Sequence, residues 1–186
     1  MFKDRIEAGM LLAQKLKQYK NTEAIVLAIP KGGVPIGYVV AKQLHLALEI
    51  VLSKKIPHPI DKEFAIGAVT LKSRILSDAA SEVSSNYIEE KTLKLRKSLS
   101  EQYQKFYGKK TPLELKEKVL IVIDDGIATG NTILSAIEML HKENPKKIVV
   151  AIPVSSQSAM QALENAAIID EVICLSVPNI FRAVGQ

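Results

Sequence analysis

The stretch VLIVIDDGIATGNTI, residues 119–133, decides the fold. It begins with an uninterrupted aliphatic run that ends at the acid pair Asp124 and Asp125. Small and hydroxyl-bearing residues follow, and then apolar residues return at helical spacing in residues 132–143. An aliphatic run bounded by a loop and an amphipathic segment is typical of a strand followed by a helix in a buried parallel sheet.

The same alternation extends in both directions along the chain. Further aliphatic runs occupy residues 23–30, 48–56, 146–154 and 168–177, and each is predicted as a strand. Amphipathic segments at residues 4–19, 34–45 and 156–166 are predicted as helices. Strands alternating with helices predict the α/β class, with a central parallel sheet flanked by helices on both faces.

Residues 57–118 interrupt this alternation and are predicted to be an insertion attached to a single domain. Residues 65–71 and 74–77 resemble the two strands of a hairpin. Asn86, with Glu89 three residues later, resembles a capping box that begins a long helix. Its predicted apolar stripe is Ile88, Leu95, Leu99, Tyr103 and Phe106, and Gly108 is predicted to end it.

The composition and charge of the chain indicate its size class, its compartment and the charge of its ligand. The chain has 186 residues, of which 47% are hydrophobic, enough for one domain with a buried core. The one cysteine, Cys174, lies in an apolar run and is expected to be buried and inert. A charged start without a signal-like segment, and apolar runs too short to span a bilayer, predict a cytoplasmic protein without membrane association. A net charge of +5 suits an anionic small ligand and does not by itself indicate nucleic acid.

The loop after residues 119–123 has the features of a site for a phosphorylated sugar. Its small residues leave backbone N–H groups accessible at the start of the next helix, near Asn131 or Thr132, which favours a phosphate. Carboxylates would repel a phosphate, so Asp124 and Asp125 are expected to bind sugar hydroxyls or Mg²⁺. The simpler alternative is an acid pair followed by a helix cap. The Walker spacing is absent, because three residues separate Gly126 from Gly130 and Asn131 stands where that motif has lysine.

Two other predicted strand ends carry features suited to anions. Lys31, Gly32 and Gly33 open a helix directly after a strand, where glycine permits a close backbone approach. Lys54 and Lys55 are predicted to end the next strand. Since ligands of open α/β sheets bind beyond the carboxyl ends of the strands, these features are expected to contribute to one site.

VIDDGIATGNT, residues 122–132, resembles the signature by which type I phosphoribosyltransferases bind phosphoribosyl pyrophosphate (PRPP). The segments DRIEAGMLLAQKL, AIPKGGVPIG, KKIPHP, EFAIGAV and FRAVG resemble a bacterial subfamily of predicted phosphoribosyltransferases, and together they span nearly the whole chain. The resemblance implies the type I phosphoribosyltransferase fold. It also implies transfer of ribose 5-phosphate from PRPP to a nitrogenous base, with Mg²⁺ as cofactor.

The resemblance also implies roles for individual residues. Asp124 and Asp125 would bind the ribose hydroxyls, and Lys55 or Lys54 would neutralise the leaving pyrophosphate. Lys31 and Gly32, with Gly33, would form the pyrophosphate loop, which in this family often holds a cis non-proline peptide. The 5-phosphate would be held by a loop and helix start that comprise Gly126, Ala128, Thr129, Gly130, Asn131 and Thr132. Mg²⁺ would be held mainly by substrate oxygens, with Asp124 and Asp125 as additional candidates.

The acceptor base is less defined. Ala128 stands where hypoxanthine–guanine enzymes of this family have a third acid, which argues against those bases. The resemblance implies a base-covering hood within residues 174–186, where Phe181 is a candidate to stack on a ring, and a covering role for residues 57–118. The alternative function is a non-catalytic PRPP- or nucleotide-sensing regulator on the same fold, for which the charge permits a nucleic-acid partner without demanding one. The sequence decides neither the metabolic pathway nor the oligomeric state, and a homo-oligomer is one of the open alternatives.

Overall fold

The structure is a computed structural model that describes residues 2–179. The described residues form two compact units, one made of residues 2–51 and 113–179 and the other of residues 52–112. The helices are α1 Arg5–Lys15, α2 Gly33–Leu44, α3 Ser85–Tyr107, α4 Asn131–His141 and α5 Gln157–Glu164. The strands are β1 Ile25–Ala28, β2 Ala47–Ile50, β3 Lys54–Pro57, β4 Ala65–Val69, β5 Arg74–Leu76, β6 Val119–Ile123, β7 Lys147–Val154 and β8 Glu171–Ser176.

The first unit contains a five-stranded parallel sheet in the order β2-β1-β6-β7-β8. Its central strands are aliphatic along their length because both faces of the sheet are covered. Leu120 and Val122 of β6 belong to a core cluster that includes residues of α4 and α5. Ile121 and Ile123, on the opposite face, belong to a cluster that includes residues of α1 and α2. The predicted class, a parallel sheet flanked by helices, is confirmed.

The second unit contains a three-stranded antiparallel sheet in the order β3-β4-β5 and the helix α3. The predicted hairpin is confirmed as β4 and β5. Helix α3 begins two residues before the predicted capping box, because the Ser84 side chain accepts the Tyr87 N–H. Gly108 follows the last turn at φ 65°, as predicted, whereas Phe106 is exposed instead of buried.

Residues 48–56 were expected to form one strand, and this expectation is wrong. The chain leaves the parallel sheet after Ile50, and Lys54 begins a strand of the separate antiparallel sheet. Lys54 and Lys55 therefore do not end a strand of the central sheet. The second unit overlaps the predicted insertion at 57–118, whose covering role stays a prediction.

Two further findings concern Cys174 and the character of the helices. Cys174 is half-buried on β8, where its thiol donates to the Ser176 carbonyl and burial raises the pKa of the thiol. Over residues 2–179, no helix is both long enough and apolar enough to cross a membrane.

Candidate functional site

Two loops of the first unit meet at the carboxyl ends of adjacent parallel strands. One loop leads from β1 into α2, and the other leads from β6 into α4. β1 and β6 are paired up to Ala28 and Ile123, and the Ile29 N–H then donates to the Ile123 carbonyl at 2.8 Å. The structure thus brings the predicted glycine loop and the predicted acid loop together.

Glycines make the close approach of these loops possible. A Cβ on Gly32 would lie 1.9 Å from Oδ2 of Asp125, and a Cβ on Gly33 would lie 2.5 Å from the Ile123 carbonyl oxygen. Both distances are shorter than any van der Waals contact, so side chains at these positions are incompatible with the observed arrangement. The start of α2 consequently packs directly against the acid pair.

The preceding peptide, between Pro30 and Lys31, is cis, as the resemblance implies for this loop. The Lys31 carbonyl accepts a hydrogen bond from the Val34 N–H at 3.3 Å, which closes the turn into α2. The Lys31 side chain is exposed, so its ammonium group is accessible to an anion.

The two acids have different environments. Asp124 is half-buried and accepts the Asp125 N–H at 2.8 Å. Burial raises the pKa of Asp124 to about 7, the hydrogen bond from the Asp125 backbone opposes this rise, and the neighbouring Asp125 charge reinforces it. Near neutral pH Asp124 therefore exchanges between a form that accepts hydrogen bonds and one that also donates. Either form suits a hydroxyl group.

Asp125 is partnered by a residue far away in sequence. The Arg5 guanidinium, at the first position of α1, donates to Oδ2 of Asp125 at 2.8 Å. The pair joins residues 120 positions apart. Arg5 was not predicted as a site residue, although it lies in the segment DRIEAGMLLAQKL that carries part of the family resemblance.

The loop from Gly126 to Gly130 is attached to the neighbouring strand. The Ile127 N–H donates to the Val154 carbonyl at 3.0 Å, and the Ile127 carbonyl accepts the Ser156 N–H at 2.9 Å. The Ile127 side chain is buried. Ser156 also donates from its hydroxyl to the Ala128 carbonyl at 2.6 Å, while that hydroxyl caps α5 by accepting the Ala159 N–H. Ser156 was not predicted, because this contact depends on the pairing of β6 with β7.

Helix α4 begins without a side-chain cap. Gly130 occupies the N-cap position at φ 82°, a backbone region that favours glycine, and no side chain among the described residues caps this end. The first amide that bonds back within the helix here is that of Leu134, to the Gly130 carbonyl at 2.9 Å. The remaining site residues of this loop are exposed: Ala128, Thr129, Asn131 and Thr132. An uncapped, accessible helix start is suited to bind an anionic group.

Other predicted residues belong to the second unit or lie outside the described part of the chain. Lys54 and Lys55 belong to the second unit, where the Lys54 ammonium donates to Ser98 Oγ at 2.8 Å and Lys55 is exposed. Phe181 and most of the predicted hood at 174–186 lie outside residues 2–179. Their roles stay predictions.

The donor set of the site suits Mg²⁺ only if a ligand supplies most of the oxygens. Residues 2–179 contain no group of three or more His, Cys, Asp or Glu side chains arranged to hold a metal ion. Asp124 and Asp125 offer carboxylate oxygens at the end of β6. Mg²⁺ commonly takes one or two carboxylates and completes its shell with water and substrate phosphates, so these residues fit a substrate-borne ion.

A protein-family comparison matches residues 3–185 to the phosphoribosyl transferase domain. A curated relative from Mycobacterium tuberculosis strain H37Rv, named "Putative phosphoribosyl transferase Rv0571c", is 33% identical over 192 residues. That match covers 100% of this chain and 42% of the relative, so the chain spans less than half the length of this curated protein.

Solved structures share this fold. TT1426 from Thermus thermophilus is 35% identical, with a TM-score of 0.79 over 99% of this chain and 88% of that one. The purine phosphoribosyltransferase from Pyrococcus horikoshii has a TM-score of 0.52 over 98% of this chain and 93% of that one. At 16% identity, the latter likeness supports the fold alone.

Proposed function

Because the chain belongs to the phosphoribosyl transferase family, we propose that it transfers ribose 5-phosphate from PRPP to a nitrogenous base or related acceptor and releases pyrophosphate. The observation that carries the proposal is the position of the acid pair. Asp124 and Asp125 lie at the end of β6, only a few residues before the uncapped start of α4. A ribose 5-phosphate has a diol and a phosphate, the two groups that this arrangement suits.

In the proposed complex, the sugar lies over the end of β6. Asp124 and Asp125 accept hydrogen bonds from the 2- and 3-hydroxyls. The backbone N–H groups of Ala128 to Thr132 and the hydroxyls of Thr129 and Thr132 bind the 5-phosphate. The loop of Lys31, Gly32 and Gly33 faces the pyrophosphate, and Lys54 or Lys55 adds positive charge to it.

The reaction breaks the bond between the anomeric carbon and a pyrophosphate oxygen, and it forms a bond from that carbon to a nitrogen of the acceptor. The bonding electrons leave with the pyrophosphate, and the acceptor nitrogen loses a proton. Lysine side chains and backbone N–H groups stabilise the leaving group, while the acids hold the ribose in place for attack. Mg²⁺, when bound together with PRPP, supplies charge neutralisation at the phosphate oxygens.

The acceptor is proposed to be a base other than hypoxanthine or guanine. The exposed position 128 carries alanine, which offers no carboxylate for the purine ring. The covering role of residues 57–118 and the contribution of Phe181 to the base site belong to the same proposal.

The decisive experiment is calorimetric titration of PRPP, in the presence of Mg²⁺, into the wild-type chain and Asp125→Asn. Loss of a charge-assisted hydrogen bond is expected to weaken binding about tenfold or more. Glu164→Gln is the matched control, because Glu164 is an exposed carboxylate at the last residue of α5 and its neutralisation should leave affinity unchanged. Unchanged affinity in Asp125→Asn would remove this acid from the sugar site.

Catalysis is tested separately from binding. Pyrophosphate release is measured with PRPP, Mg²⁺ and a panel of purine and pyrimidine bases, and turnover with at least one base is expected. If PRPP binds and no acceptor across a broad panel gives pyrophosphate, the transferase proposal fails and the nucleotide-sensing alternative is favoured.

A further inference from the structure

The carboxylate of Asp125 is held from two sides by elements that meet only in the folded chain. On one side, the carboxylate occupies the space that a Cβ on Gly32 would fill, since such a Cβ would lie 1.9 Å from Oδ2. On the other side, the Arg5 guanidinium donates to Oδ2 at 2.8 Å. The contact from Arg5 therefore favours one orientation of a carboxylate that has room to adopt others.

Arg5 is itself positioned by a rigid helix start. Asp4 caps α1 by accepting the backbone N–H groups of Ile6 and Glu7 at 2.9 and 2.8 Å. Further along, Gly9 lies against α2, where a Cβ would fall 2.8 Å from the Cβ of Val39. Leu12 is fully buried in the core face that α1 shares with α2. The backbone of Arg5 therefore cannot move away from the site without disturbing the packing of α1.

The Arg5–Asp125 pair differs from an ordinary surface ion pair. In the pair formed by Lys94 and Glu90, both side chains are about two-thirds exposed, at 68% and 66%. Such pairs contribute little, because water screens them. Asp125 is only 19% exposed, although Arg5 is 53% exposed. One oxygen of a largely covered carboxylate is thus occupied by a cation, and this fixes the orientation of the acid.

We propose that Arg5 is a positioning residue for PRPP binding, acting through Asp125. The guanidinium holds the Asp125 carboxylate in the orientation in which it accepts hydrogen bonds from the ribose hydroxyls. This inference rests on the proposed function and adds a residue of α1 to the site. Arg5 acts through the acid and makes no direct contact with the pyrophosphate.

A double-mutant cycle in PRPP affinity tests this role. Arg5→Met is expected to weaken PRPP binding about fivefold, the size expected for a partly exposed charge-assisted contact. If Arg5 acts through Asp125, its loss matters little once the acid is neutral. The double variant Arg5→Met/Asp125→Asn should therefore bind within about twofold of Asp125→Asn alone, since coupled residues are not additive.

Three measurements separate positioning from a structural role. Arg5→Lys keeps the charge but loses the planar fork of donors, so it should recover part of the affinity lost in Arg5→Met. Lys15→Met removes one positive charge from the exposed far end of the same helix and should bind PRPP normally. Melting temperatures of all variants should remain close to that of the wild-type chain.

The outcomes are distinguishable. Normal PRPP affinity in Arg5→Met, or additive losses in the double variant, overturns this inference and leaves the proposed function intact. A loss in Lys15→Met equal to that in Arg5→Met also overturns it, because the effect would then be general charge attraction. Absence of PRPP binding by the wild-type chain overturns the proposed function together with this inference.

Discussion

Replacing Gly32 by alanine should weaken PRPP binding while leaving the stability of the fold nearly unchanged. The new Cβ would lie 1.9 Å from Oδ2 and 2.1 Å from Cγ of Asp125, about 1.5 Å short of van der Waals contact. The clash involves the end of a side chain, so the carboxylate can rotate away while the backbone stays in place. Asp125 would then lose its contact with Arg5 and its place beside the sugar.

The expected magnitude follows from this displacement. Misplacing a binding group by about 1 Å can cost about 100-fold in activity, and a loss of PRPP affinity between about 10- and 100-fold is expected. The free energy of unfolding should change by no more than about 1 kcal/mol, because Gly32 has φ −67° and ψ −33°, a conformation that alanine adopts freely. Calorimetric titration with PRPP and thermal denaturation measure the two effects.

Gly33→Ala is the comparison variant in which the stability of the fold is expected to fall. Its Cβ would lie 2.5 Å from the Ile123 carbonyl oxygen and 3.0 Å from the Asp124 Cα, and both are backbone atoms that cannot rotate away. Helix α2 must shift, so a loss of about 1–3 kcal/mol in stability is expected. Wild-type PRPP affinity in a folded Gly32→Ala variant would refute the placement of Asp125 in the sugar site.

Two further predictions concern the ionisation of Asp124 and the hydrogen bonds of Tyr19. The pKa of Asp124 is raised from 3.8 to about 7 in the folded chain, so between these pH values the folded chain binds more protons than the unfolded chain. The free energy of unfolding should therefore fall as the pH rises from about 4 to about 7. Asp124→Asn should flatten this part of the pH profile, measured by denaturant titration. The Tyr19 hydroxyl donates to Glu171 and accepts from Lys147, both at 2.8 Å, so Tyr19→Phe should lower the free energy of unfolding by about 1–2 kcal/mol, whereas the same change at exposed Tyr38 should have no effect.

The sequence was sufficient to predict the parallel sheet because its strands carry unbroken aliphatic runs. Residues in β6 and β7 are buried on both faces, and an unbroken aliphatic run is the clearest sequence pattern for such a strand. The acid loop was also predicted correctly as the connection from β6 to α4. There the motif, the strand end and the helix start lie within one short segment.

The same kind of pattern failed at residues 48–56. This run contains no glycine or proline, and the polar residues 53–55 that interrupt it do not show that the chain leaves one sheet for another. That break is decided by which partner each half pairs with, β1 for Ala47–Ile50 and β4 for Lys54–Pro57. Pairing is a property of the whole fold, and one strand's sequence does not contain it.

The Arg5–Asp125 contact and the Ser156 contact with Ala128 were missed for a related reason. Each joins residues far apart in sequence, and each depends on the packing of neighbouring elements. A lone arginine at the start of a helix normally indicates a solvated position. Only the folded arrangement shows that it faces a carboxylate.

The attachment of Ile127 to β7 has a consequence for the energetics of recognition. Its two backbone hydrogen bonds and its buried side chain fix the middle of the loop before any ligand arrives. Ordering a flexible loop would cost about 1–2 kcal/mol per residue in conformational entropy, and a loop that is already shaped avoids most of that cost. A ligand therefore loses little of its interaction energy to organising this part of its own receptor.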